Sequence, residues 1–194
     1  MSIELIKSIR NKTGLSFKDI KKAVEELGGN DEEKIITHLR EQGMLKSQKR
    51  QDRSTDHGGI FTYAHDGRMG VMVEIKCETD FVARSDQFQE LGQDLCLHIV
   101  AYQPQAVNEE DISDDFVNQE LEIARTQLLN EGKPEDKIDM ILQGKKKKVL
   151  SEYTLLKQPF IKDPKKSVEE HVASVVQTTG EKIVITRFTM YSLA

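Results

Sequence analysis

Between Met69 and Cys77 the residues Met69, Val71, Val73, Ile75 and Cys77 are all apolar, while Glu74, Lys76 and Glu78 hold the alternate positions at the end of the run. A period of two with one apolar face is the pattern of a β-strand half-buried against a core. It constrains the chain strongly, because it sets a strand, the face that strand buries and the point where it ends. The alternation stops at Thr79-Asp80, two residues that cap helices well, and the next apolar side chain is aromatic, Phe81. A rigid strand therefore ends by presenting a phenyl ring beside a carboxylate, in a connecting segment of the kind that often carries binding residues.

The same strand is one arm of a hairpin. Ile60 to His65 pairs, in this reading, with Arg68 to Cys77 across Asp66-Gly67, a two-residue turn suited to antiparallel strands. Upstream, residues 2–45 carry three short helical patterns. Ile3, Ile6 and Ile9 recur at helical spacing and Thr13-Gly14 ends the first. Ser16 with Asp19 makes a capping-box pattern for a second bearing Phe17, Ile20, Ala23, Val24 and Leu27. Gly28-Gly29 stops it, Asn30 or Asp31 caps the third, and Ile35, Ile36 and Leu39 run along that helix to Gly43. Residues 46–58 are polar, with Lys46, Lys49, Arg50 and Arg53, and read as a linker.

Beyond the hairpin, Phe88, Leu91, Leu95 and Ile99 mark a long helix finished by Pro104. Residues 113–130 mark another on Phe116, Val117, Leu121, Ala124 and Leu128, and Pro134 fits the first turn of a short helix ending near Gly144. Residues 155–164, with two prolines, read as extended. Ser167 with Glu170 starts a last helix bearing Val168, Val172, Val175 and Val176; Gly180 ends it, and Ile183 to Tyr191 forms the closing strand. The order favours an α+β fold: a three-helix module over 1–45, a linker over 46–58, and a core over 59–194 of a small antiparallel sheet packed with helices.

With 31% charged and 37% hydrophobic residues in 194, the chain reads as a globular protein with a highly charged surface. It has no run approaching the roughly 18 apolar residues of a membrane span, and Met1-Ser-Ile-Glu-Leu-Ile-Lys7 reads as a charged helix start rather than a signal peptide. Cys77 and Cys96 are too few for a disulfide framework or a zinc site, so they read as reduced thiols in a cytoplasmic protein. A net charge of −5 argues against a chain built to coat nucleic acid. The run Lys145-Lys-Lys-Lys148 reads as the solvated face of a short helix rather than an RNA contact.

The run Cys77-Glu-Thr-Asp-Phe-Val-Ala-Arg84 resembles the signature of the bacterial elongation factor Ts family. The likeness extends through Ile9-Arg10, Thr13-Gly14, Lys18, Lys21-Lys22-Ala23 and Leu39-Arg40 with Gly43. It continues in Asn130-Glu-Gly-Lys-Pro134, Gln158-Pro-Phe-Ile-Lys-Asp-Pro164 and the ending Gly180-Glu-Lys-Ile-Val-Ile-Thr-Arg-Phe188. Departures are Leu15 and Asp19, where smaller or apolar residues are usual, and Thr154-Leu-Leu-Lys157, where a Cys often precedes the Gln-Pro-Phe segment. The resemblance implies a guanine-nucleotide exchange factor of translation elongation whose partner is the GTPase elongation factor Tu. It implies a short form that homodimerises, with a first module like a ubiquitin-associated domain. As partner-binding residues it implies Thr79, Asp80, Phe81, Val82 and Arg84 in the loop, Thr13, Gly14, Leu15, Lys22, Leu39 and Arg40 in the module, and His98.

Plainer readings stand beside these. On composition alone Phe81 is a core aromatic, Asp80 a helix cap, His98 a partly exposed structural histidine and Cys77 a buried strand residue. A Cys77, His98 and Asp80 nucleophile set is conceivable, but nothing brings the three together, and the chain has no Gly-Lys-Ser/Thr phosphate loop to bind nucleotide itself. No catalytic residue, metal ligand or cofactor is expected. An adaptor, with the helical module tethered to a dimerisation domain, is the alternative, and it would not require the Thr79-Asp80-Phe81 loop.

Overall fold

A computed structural model describes residues 3–28, 31–48, 50 and 52–193; Met1, Ser2, Gly29, Asn30, Lys49, Gln51 and Ala194 lie outside the described residues. Three helices open the chain: α1 (Ile3–Thr13), α2 (Phe17–Leu27) and α3 (Glu32–Gln48). Their capping chemistry follows the sequence. Ser16 Oγ accepts the Asp19 N–H at 3.1 Å and donates to the Asp19 carboxylate at 2.7 Å, and Asp31 Oδ1 accepts the Lys34 N–H at 3.2 Å. The Gly28 N–H closes α2 on the Val24 carbonyl at 3.1 Å. Ile6, Ile9, Leu15, Ile20, Ala23, Val24, Ile35 and Leu39 then bury one another in a cluster made only of module residues. Ile3, Phe17 and Leu27, read from spacing as part of the same stripes, are 65%, 47% and 43% exposed.

Strands β1 (His57–His65) and β2 (Met69–Cys77) form the hairpin. Asp66 at φ 50° and Gly67 at φ 66° give the two left-handed residues of a type I′ turn, closed by the Arg68 N–H on the His65 carbonyl at 2.9 Å. Along β2 the expected face is buried: Val71, Val73, Ile75 and Cys77 are at most 5% exposed. A one-turn helix α4 (Asp80–Ala83) and the long α5 (Asp86–Tyr102) follow. Next come α6 (Asp114–Asn130) and α7 (Glu135–Tyr153), the short strands β3 (Pro159–Phe160) and β4 (Asp163–Ser167), then α8 (Val168–Thr179) and β5 (Ile183–Ser192). The main sheet has the order β1-β2-β5, and β3 pairs antiparallel with β4. The fold is α+β: three helices, then a small antiparallel sheet packed with helices.

Contacts divide the chain into two compact units. One holds Met1–Phe61, Glu74–Asp94 and Glu169–Thr186, the other Thr62–Val73, Leu95–Val168 and Arg187–Ala194. In the first, beside the helical cluster, the Phe61 and Phe88 rings meet at 5.8 Å between centroids. In the second, Ala106, Ile112 and Val117 form a core closed by Phe116, Leu121, Leu150 and Tyr153, with Phe116 edge-on to Tyr153 at 4.8 Å.

Several expected boundaries moved. Helix α3 does not stop at Gly43, which is buried where a Cβ would meet the Gln177 Oε1 at 2.8 Å, so the glycine serves a close approach. The first residues of the expected linker therefore belong to α3, and its last to β1. Helix α7 passes through Gly144 and the lysine run to Tyr153, because burial of Val149 and packing of Leu150 and Tyr153 outweigh the ~1 kcal/mol a mid-helix glycine costs. Lys146, Lys147 and Lys148 are exposed on it. The stretch 155–164 is not one extended segment: Leu155–Lys157 is a 3-10 turn that leads into the β3–β4 ribbon.

Gly92 in α5 lies where an added Cβ would come within 2.3 Å of the Phe61 ring. Gly92→Ala is expected to lower stability by roughly 1–3 kcal/mol through overpacking, read as a lower urea midpoint at unchanged slope.

Candidate functional site

The residues after β2 form a short turn held from several sides. Thr79, extended at φ −128° and ψ 159°, is the N-cap of α4, its Oγ1 accepting the Val82 N–H at 3.3 Å. Asp80, read as a possible cap, is instead the first helical residue. The turn is closed by the Ala83 N–H on the Thr79 carbonyl and the Arg84 N–H on the Asp80 carbonyl, both at 3.2 Å. The Arg84 guanidinium reaches the Asp80 carboxylate at 3.3 Å. Behind the turn, the Ser85 hydroxyl donates to the Val82 carbonyl at 2.8 Å, and Gln89 Nε2 donates to the Ala83 carbonyl at 2.8 Å. On this pinned turn Phe81 is 84% exposed. A ring so exposed forgoes about 1.5–3 kcal/mol of burial, so its position is a property of the backbone and not of apolar packing.

Cys77, directly beneath, is fully buried and donates its thiol to the Thr79 carbonyl at 3.2 Å. Burial, with Glu181 nearby, pushes that thiol up, so it is held protonated and is a poor nucleophile. Burial alone pushes Cys96 up to about 11.

In the helical module, Thr13, Gly14, Lys22 and Arg40 are exposed or half-buried, and Lys22 pairs with Glu26 at 3.6 Å. Thr13 Oγ1 donates to the Ile9 carbonyl at 2.7 Å and accepts the Leu15 N–H at 3.4 Å, fixing the turn into α2. Leu15 and Leu39, expected as contacts, are 4% and 1% exposed. Their side chains are spent on the module's core, so they shape this surface without offering apolar area to a partner.

His98 also departs from expectation. It is fully buried in α5, not partly exposed, and its ring stacks on Tyr102 at 4.6 Å. Its Nδ1 accepts the Ile161 N–H at 3.3 Å, so Nε2 carries the proton and donates to Gln158 Oε1 at 2.9 Å. Gln158 Nε2 in turn donates to the Glu152 carbonyl at 2.7 Å. The Gln158-Pro-Phe160 segment thus folds around this imidazole, and His98 is a structural residue of this region.

Glu181, a residue with no local sequence signal, accepts from both the Thr79 N–H at 2.9 Å and the Thr79 hydroxyl at 2.6 Å. Only its place in the run from Gly180 to Phe188 marked it, and a contact across 102 positions leaves no local pattern.

Comparison with known proteins follows the same lines. A family model described as "Elongation factor TS" matches residues 6–194. An elongation factor Ts from Solidesulfovibrio magneticus is 44% identical over 194 residues, 100% of this chain and 96% of that one. One from Desulforamulus reducens is 41% identical over 194 residues, covering 100% and 89%, and one from Oleidesulfovibrio alaskensis 42% over 190, covering 97% and 96%.

Burial is the first cause that lowers the His98 pKa below its ordinary 6.5. With the folded value depressed, the unfolded chain binds the extra proton more readily. Stability from this group is present above about pH 6.5 and is lost as pH falls toward the folded value. His98→Gln is expected to flatten the dependence of the urea midpoint on pH below 6.5; an equally steep dependence in the variant would assign it elsewhere.

Proposed function

The chain belongs to the elongation factor Ts family and is a translation elongation factor, and from that premise we propose that it is the guanine-nucleotide exchange factor of elongation factor Tu. Such a factor catalyses no bond-making of its own. It binds the nucleotide-free GTPase more tightly than the GDP-bound form, and by linkage weakens GDP to the same degree. The observation that carries the reading is Phe81, 84% exposed on a turn pinned at both ends. The ring acts as a wedge into an apolar gap beside the partner's phosphate-binding and switch elements. Asp80, oriented by Arg84, competes for donors near the magnesium site, and loss of magnesium coordination precedes release of the β-phosphate.

One ring is not enough. Speeding release by about 10⁴ needs roughly 5.5 kcal/mol of differential binding, whereas burying one Phe supplies about 1.5–3 kcal/mol. The remainder comes from a second anchor, the helical module of residues 1–45, which carries its own core and offers the Thr13-Gly14 turn, Lys22 and Arg40. The segment between α3 and β1 joins it to the rest of the chain. A second copy of the chain completes the short form as a homodimer, and the exposed Tyr191 and Leu193 at the end of the edge strand β5 support this.

Release of a fluorescent GDP analogue from elongation factor Tu tests the exchange. Wild type should accelerate it strongly, and Phe81→Ala should reduce the saturating rate by about 10–100-fold, the loss of one buried ring. In the same titration Lys22→Glu with Arg40→Glu should raise the half-saturating concentration. A Phe81→Ala chain as active as wild type would keep the exchange and move its mechanism to other contacts, a wild-type chain that accelerates nothing would favour an adaptor, and an unmoved half-saturating concentration would remove the second anchor. Light scattering at micromolar concentration should give twice the chain mass; a monomer would remove the dimer.

A further inference from the structure

The loop rests on a reciprocal clamp between two segments a hundred residues apart. The Glu181 carboxylate takes the N–H and the hydroxyl of Thr79, while the Glu78 carboxylate takes the Lys182 N–H at 2.6 Å. Each segment thus accepts the other's backbone N–H through a carboxylate, at the end of strand β2 and just before the first residue of β5. Linker residue Arg53 is drawn in: its guanidinium reaches Glu78 at 3.2 Å and its carbonyl accepts from Lys182 Nζ at 2.9 Å. The bonds from Thr79 to Glu181 and from the Lys182 N–H to Glu78 are charge-assisted and partly buried, the kind that fixes geometry best, while the Arg53 contacts are exposed.

We propose that Glu181 is a positioning residue for exchange, a clamp that holds Thr79 extended so that α4 starts where it does and Phe81 stands out from the surface. Thr79 is bonded on three sides: its N–H and hydroxyl donate to Glu181, and its Oγ1 accepts the Val82 N–H that begins the Phe81 turn. Without Glu181 the Thr79 N–H and hydroxyl lose their acceptor, and the hydroxyl is free to rotate away from its capping role. Phe81 would then sample several positions, and ordering it would draw on the binding energy of the wedge. Glu181 touches no partner in this scheme; it acts through Thr79. The inference rests on the exchange reading above.

Two measurements separate the two ideas. Amide exchange of residues 80–84 in the free chain needs no partner. Glu181→Ala should raise it while exchange of the β2 amides stays as in wild type. GDP release should then show a saturating rate lower by roughly tenfold, with the half-saturating concentration nearly unchanged because the module still docks. Glu181→Gln keeps the shape and one acceptor oxygen, and should recover part of the loss. Wild-type loop exchange and wild-type rate in Glu181→Ala would overturn the clamp. If Glu181→Ala unfolds, Glu181→Leu, which keeps the bulk and removes the acceptor, takes its place, and wild-type values in it overturn the clamp. A wild-type chain that fails to accelerate GDP release would overturn the exchange reading instead, and the amide exchange would still decide the clamp.

Discussion

An aromatic ring held almost wholly in water stays in place only if the backbone beneath it cannot yield. That support begins with the buried face of β2, where Val73, Ile75 and Cys77 are fully enclosed. Slipping this strand by one residue would turn every one of those side chains outward, so its register is set by burial and not by the loop it carries. Because β2 cannot slide, Thr79 emerges at a defined point, and the one-turn helix after it inherits that position.

Burial alone leaves the strand end polar, and the polar chemistry there is closed by side chains rather than by continued sheet. Glu78 and Glu181 accept backbone N–H groups across the gap. The Lys182 N–H, the strongest influence, holds Glu78 below the usual carboxylate range, with Arg53 adding to it. Elsewhere the same logic appears in neutral form. His98 and Gln158 satisfy each other inside the second unit, where an unpaired imidazole would be costly. One network organises the exposed loop and the other stiffens the region around α5 and the β3–β4 ribbon.

Much of this was legible from residue order. The Asp66-Gly67 turn demanded a hairpin, the Ser16–Asp19 spacing demanded a cap, and the β2 alternation named its own buried face. Glycine misled at Gly43 and Gly144, since propensity is a weak local term and both helices continue where packing rewards it. Spacing also counted Phe17 and Leu27 with the core, although both keep much of their surface in water. Leu15, Leu39 and His98 were expected at a surface because the resemblance speaks of contact, whereas only packing reveals that a side chain has been consumed inside.

The sequence by itself determined the hairpin and the helix starts, the buried face of the central strand and the place where that strand ends. These are local quantities: period, capping and turn chemistry need only near neighbours. Tertiary structure alone decided that Phe81 faces solvent, that His98 does not, and that a carboxylate at position 181 reaches a threonine at position 79. Such contacts join segments far apart in the chain, and no period along the sequence records them.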